Sequence, residues 1–290
     1  MSKAPDIAAA NAPAPGIRAI KFSRDWITRP VFGVVLALAV LGAIVAGTSY
    51  LALLAAAAAL AAAREWHRMV GGGKFVVLLV PAVASIWLAL GAYIYWPGSA
   101  APAIVLAVGA LVLLALGAAR RNNPLWQAGG VLYLGIPALA ILMLRDVPRQ
   151  GVWLIAGLFI VVWATDTGAL VAGNLIGGPK LSPELSPNKT WAGTIGGIGA
   201  AAILEAVYVA ALGGHALGAA LFGAGLAVVA HLGDLFESWV KRRFRTKDSG
   251  SLIPGHGGVL DRIDSTLSAA VALAIAVFLF HLDPLFGAHP

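Results

Sequence analysis

FVVLLVPAVASIWLALGAYIY, residues 75–95, carries no charged side chain. A helix of that length crosses roughly 30 Å of hydrocarbon. Working outward, apolar runs of comparable length recur at about 31–47, 49–63, 102–119, 129–144, 151–170, 191–212, 216–237 and 262–281. The chain of 290 residues is 60% hydrophobic and 11% charged. Soluble domains average about 25% charged residues, so a soluble core does not account for this composition. The expected fold is an all-α polytopic membrane protein with about nine transmembrane helices. There is no cysteine, which excludes disulfides and thiolate ligands.

The basic residues test that layout. With the N-terminus cytoplasmic and the spans alternating, about 18 of the 20 Lys and Arg fall on the cytoplasmic side. Only Arg145 and Arg149 fall outside. The C-terminus is then external. The two most polar loops, 173–190 and 238–261, share the cytoplasmic face. In a polytopic protein the net charge of +7 reports topology first, and no nucleic-acid partner is inferred. Residues 1–28 read as a cytoplasmic tail rich in Ala and Pro, leading into an interfacial segment. They lack the early apolar core of a signal peptide. Residues 29–290 read as one integral-membrane domain, with N-terminal spans over 31–144 and the chemically richer spans and loops over 151–281.

Two stretches concentrate the polar chemistry. In the first, residues 163–197, Asp166 lies inside an apolar span, where an ionisable group by default faces a cavity or a partner. SPNKT then precedes a helix. Ser186, Asn188, Lys189 and Thr190, with the backbone N–H groups behind them, offer an anion site. Ordinary N-capping is the plainer alternative. Gly193 and Gly197 read as helix packing.

The second stretch, residues 231–265, carries Asp234, Lys241, Asp248, Asp261 and Asp264 beside the basic run Lys241 to Lys247. On a continuing helix, Asp234, Ser238 and Lys241 share a face. Asp261 and Asp264 share a face at the start of the last span. Gathered carboxylates repel one another and need a cation to stay ionised together. An oxygen-only set suits Mg²⁺ better than Zn²⁺. The surplus basic charge calls in turn for an anion, and a phosphate-rich ligand with Mg²⁺ balances both. The plainer alternative for the basic run is contact with anionic lipid. The PGHGG turn permits close backbone approach.

SWVKRRFRTKDSGSLIPGHGGVLDRID, Ser238 to Asp264, resembles the defining motif of the phosphatidate cytidylyltransferase (CDP-diacylglycerol synthase) family at every fixed position. The SPNKTW-x-G region upstream is similar too, and Ala192 departs from the Glu or Gln that members often carry there. The resemblance implies a transferase that converts CTP and phosphatidic acid to CDP-diacylglycerol and pyrophosphate. It implies a Mg²⁺ requirement, with a second cation left open, and a homodimer in a bacterial inner membrane with its site at the cytoplasmic face. Asp234, Asp261, Asp264, Lys241 and Lys247 are then the candidate catalytic residues. Asp234, Asp261, Asp264 and Asp166 are the candidate metal ligands. Ser186, Asn188, Lys189, Thr190, Arg242, Asp248, His256, Gly257, Gly258 and Arg262 are the candidate nucleotide and phosphate contacts. Two alternatives stand beside this reading: a CTP-dependent polyprenol or phytol kinase, and an ion-coupled transporter with broken helices.

Overall fold

A computed structural model describes residues 25–72, 76–250 and 257–282. His256 and most of the proposed tail lie outside the described residues. Among the described residues, nine helices follow in the expected order. They are α1 (Asp25–Ala46), α2 (Thr48–Gly71), α3 (Val76–Tyr95), α4 (Ala101–Ala119), α5 (Pro124–Arg145), α6 (Gly151–Ile176), α7 (Trp191–Ala211), α8 (Ala216–Arg243) and α9 (Leu260–Phe280). Among the described residues, the seven from α3 to α9 are each long and apolar enough to cross a membrane. The chain is an integral membrane protein.

The all-α expectation holds, with one short hairpin added to it. The loop before α7 contains a two-stranded antiparallel hairpin, β1 (Lys180–Ser182) and β2 (Ser186–Thr190), which pairs Lys180 with Thr190 and Ser182 with Ser186. Pro183 and Pro187 cannot donate backbone hydrogen bonds, which disfavours helix here and suits a short exposed hairpin.

Side-chain contacts define the two ends of the bundle. At one end, Arg145 Nε donates to Ile44 O at 2.7 Å, and Tyr93 Oη donates to Asp146 Oδ2 at 2.9 Å. Thr48 Oγ1 donates to the same Asp146 carboxylate. At the other end, Asn123 Nδ2 donates to Val70 O at 2.6 Å, and Trp66 Nε1 donates to Trp126 O at 2.9 Å. Trp126 in turn packs on Trp239 of α8, ring centroids 5.6 Å apart. Helix α2 therefore runs from one end to the other, with Thr48 at the first and Trp66 at the second. Its 24 residues rise about 36 Å at 1.5 Å each. It is less apolar than the seven because alanines fill it and Arg64, Glu65, His67 and Arg68 crowd its last turns.

The closest helix packing is between α6 and α7, as the glycine spacing predicts. A Cβ on Gly197 would stand 2.6 Å from Thr165 O, and one on Gly193 would stand 2.8 Å from Ala169 O. Small residues let the two backbones touch where apolar surface alone gives no preference for a protein neighbour over lipid. This contact fixes the C-terminal half of α6, and with it Asp166, against the start of α7.

Candidate functional site

The candidate site residues placed by the structure gather at one end of the bundle, the end opposite Asp146. Helix α8 is the spine of the site. It continues to Arg243, beyond the 216–237 expected from hydropathy. Its last three turns present one polar face to β2 and another to α9.

Towards β2, Asp234 forms an ion pair with Lys189, both side chains being about one quarter exposed. Asp166, Asn188, Lys189, His231 and Asp234 line a cavity of about 540 Å³. Thr190 follows in extended conformation as the N-cap of α7, and its hydroxyl accepts from Gly193 N at 3.1 Å. The capping reading and the anion-site reading thus hold for neighbouring residues: Thr190 caps, while Asn188 and Lys189 face the cavity. Arg242 Nε donates to Leu185 O at 3.3 Å, which ties the hairpin turn to the end of α8.

Towards α9, Lys241 bridges two carboxylates. Its ammonium lies 2.6 Å from Glu237 Oε2 and 2.8 Å from Asp261 Oδ1. Asp261 also accepts from Gly258 N at 2.9 Å and from Ser249 N at 3.2 Å. Asp264, one turn on, is buried, and its Oδ1 accepts from Ser265 N at 2.7 Å. Asp264 interacts electrostatically with Asp234, Glu237 and Asp166, so the two halves of the site share one field. Arg262 is within electrostatic reach of Asp166.

Other expected residues are placed differently. Lys247 and Asp248 are exposed and make no hydrogen bond or ion pair with the described residues. Ser186 lies in β2, opposite Ser182. Ser238, expected beside Asp234 and Lys241, is buried, and Glu237 is the residue that meets Lys241. Gly257 has φ +80°, which favours glycine. Gly258 is accounted for by protein atoms: a Cβ there would run into Ser249 Oγ and come within 2.5 Å of Glu65 Oε2.

Two acidic residues of the site escape a reading of the sequence. Glu237 could have been found from its i, i+4 spacing to Lys241. Glu65 carries no such signal. It sits on α2, and its partners lie 184 to 195 positions away.

The site was expected to hold a divalent cation. Among the described residues no three His, Cys, Asp or Glu already converge as a metal cage. Two of the expected ligands pair with lysines, Asp234 with Lys189 and Asp261 with Lys241. The donor chemistry still fits a hard cation. Asp264 is within electrostatic reach of three further carboxylates, Asp166, Asp234 and Glu237, and Glu237 Oε1 is a buried carboxylate oxygen that accepts no hydrogen bond from the described residues. Such an oxygen is costly to bury without a partner.

The fold and site together define a polytopic helical membrane protein with paired lysines and carboxylates gathered at one end. The chain belongs to the cytidylyltransferase family, whose description matches residues 27–280. It is 50% identical over 151 residues to a phosphatidate cytidylyltransferase of Brucella suis, covering 51% of this chain and 55% of that protein. It is 40% identical over 173 residues to the enzyme of that name in Haemophilus influenzae, covering 56% of this chain and 60% of that protein. It is also 40% identical over 151 residues to the one in Bacillus subtilis, covering 51% and 56%. The chain thus spans little more than half the length of these curated relatives.

Proposed function

We propose that the chain is a phosphatidate cytidylyltransferase, which joins CTP and phosphatidic acid to give CDP-diacylglycerol and pyrophosphate. The observation that carries this reading is the pair of lysine–carboxylate groups on either side of α8, at one end of a membrane bundle and beside an open cavity that Asp166, Lys189 and Asp234 line. A lysine held by a carboxylate is an ammonium kept in place for a phosphate oxygen. Two such positions at a membrane end suit a reaction between a soluble triphosphate and a lipid phosphate. Family membership and the names of the relatives support the same substrates.

In this reading an oxygen of the lipid phosphate attacks the α-phosphorus of CTP. A P–O bond forms there while the bond to the β-phosphate oxygen breaks, and pyrophosphate leaves with the electron pair. The attacking oxygen is already ionised near neutral pH, so no general base is needed. Catalysis becomes alignment and neutralisation of charge. Lys189 and Lys241 turn from their carboxylates towards phosphate oxygens, and Arg242 and Lys247 add charge at the rim. Asp234, Asp261 and Asp264, with Asp166 and Glu237 beside them, are the residues that would hold Mg²⁺. When bound, Mg²⁺ supplies neutralisation of the phosphate charge.

The deciding experiment incubates the purified chain in detergent with CTP, Mg²⁺ and phosphatidate. Formation of CDP-diacylglycerol with release of pyrophosphate is expected. Labelled phosphate appearing instead on a long-chain alcohol would make the protein a lipid kinase, and substrate flux in liposomes without nucleotide would make it a transporter.

The same reading places the site end at the cytoplasmic face of a bacterial inner membrane, with the N-terminus cytoplasmic and the C-terminus external. A homodimer, as the family resemblance implies, belongs to it as well. The excess of basic residues in the loops at the site end supports this orientation. Reporters fused after Lys247 and at His289 should report opposite compartments. Matching compartments would break the nine-span topology.

A further inference from the structure

Helix α9 begins with Val259 as its N-cap, and no side chain of the α9 segment caps it. The first backbone N–H groups of a helix have no partner within the helix and must find acceptors elsewhere. Here they find one on another helix. Glu65 of α2, itself only 3% exposed, accepts from Val259 N at 3.0 Å through Oε1 and from Leu260 N at 2.8 Å through Oε2. Its Oε2 also accepts from Ser249 Oγ at 3.2 Å. One buried carboxylate thus holds both flanks of the stretch 251–256. Gly250 and Gly258 leave the room for it, since a Cβ on either would come within 2.5 Å of a Glu65 oxygen. A carboxylate at a helix N-terminus also complements the helix dipole.

These residues abut Asp261. The N–H groups of Ser249 and Gly258 both donate to Asp261, so the backbone that Glu65 fixes is the backbone that orients the Asp261 carboxylate. We propose that Glu65 is a positioning residue of the site. It sets Asp261 from outside by capping α9 and clamping Ser249 against it. Nothing in the mechanism above requires Glu65 to meet a substrate. The inference rests on the proposed role of Asp261, and its test separates the two.

The test compares Glu65→Gln with wild type by hydrogen exchange of the 257–260 backbone amides, by activity, and by the Mg²⁺ concentration giving half-maximal turnover. Gln keeps the size but turns one acceptor into a donor that faces a backbone N–H. Expected are loss of amide protection confined to this segment and a fall in activity of about 10–100-fold, the range for residues that orient a metal ligand. A raised Mg²⁺ requirement should accompany them, with little further loss when Glu65→Gln is added to Asp261→Asn. Unchanged protection, or lost protection with wild-type activity and Mg²⁺ dependence, would overturn the proposal. If Glu65→Gln fails to fold, Ser249→Ala decides. It removes one bond to Glu65 and no charge, and should move Mg²⁺ dependence and protection in the same direction by a smaller amount. No movement there overturns the proposal. A wild-type chain that makes no CDP-diacylglycerol defeats the functional reading instead, while the exchange experiment still reports on the clamp.

Discussion

Asp234→Asn and Asp261→Asn should each lower turnover of CTP and phosphatidate by about 10²–10³-fold or more, the range for losing one preorganised electrostatic contact in a site. Asn preserves the shape and one oxygen acceptor but removes the charge. Asp234 is then no longer an anion for Lys189, and Asp261 is no longer one for Lys241. Both variants should insert and purify normally, because each side chain is partly open to solvent and keeps a hydrogen-bonding group. Raised Mg²⁺, or Mn²⁺ in its place, should restore part of the activity. Asp146→Asn is the control. Its carboxylate meets Thr48 and Tyr93 at the far end of the bundle, so it should cost some thermal stability and little activity. Near wild-type turnover in both Asn variants at low Mg²⁺ would mean that this cluster is structural and that the chemistry lies elsewhere.

The helices were legible because apolar length is a constraint that lipid imposes locally. All nine appear in order, and most ends fall within a few residues of the hydropathy boundaries. The larger misses at C-terminal ends, α2, α6 and α8, have one cause. Hydropathy measures what faces lipid, whereas a helix continues as long as its polar groups find partners. Residues Glu237 to Arg243 look like loop in a hydropathy profile, yet they remain helical with Glu237 and Lys241 turned into the site. The hairpin at 180–190 was invisible because a three-residue strand beside two prolines has no periodicity to detect. The acidic residues were found where the chain clusters them and missed where the fold does. Asp261 and Asp264 declare themselves by spacing, while Glu65 reads as one more polar residue at a membrane end. Mutual repulsion was the right physics for the carboxylates, but it pointed only to a bound cation. The structure shows that lysines of the chain itself also meet that demand.

Lys241 offers the test of whether that neutralisation is only structural. Its ammonium lies between Glu237, whose side chain is fully buried, and Asp261. Lys241→Met keeps most of the volume and leaves Glu237 as an uncompensated buried charge, which typically costs about 3–5 kcal/mol. The single variant should therefore show a sharply lower unfolding temperature in detergent and almost no turnover. Adding Glu237→Met removes the stranded carboxylate. Replacing a whole buried ion pair by apolar groups of similar size is often neutral or stabilising, so the double variant should regain most of the lost stability. It should not regain activity, because the phosphates still lack an ammonium and the site that would hold Mg²⁺ has now lost the Glu237 carboxylate as well. The two readouts then part company: stability returns once both members of the pair are gone, and turnover does not. A double variant that recovers both would show that Lys241 serves only to neutralise Glu237, and the phosphate would have to be held by Lys189 and the exposed basic run instead.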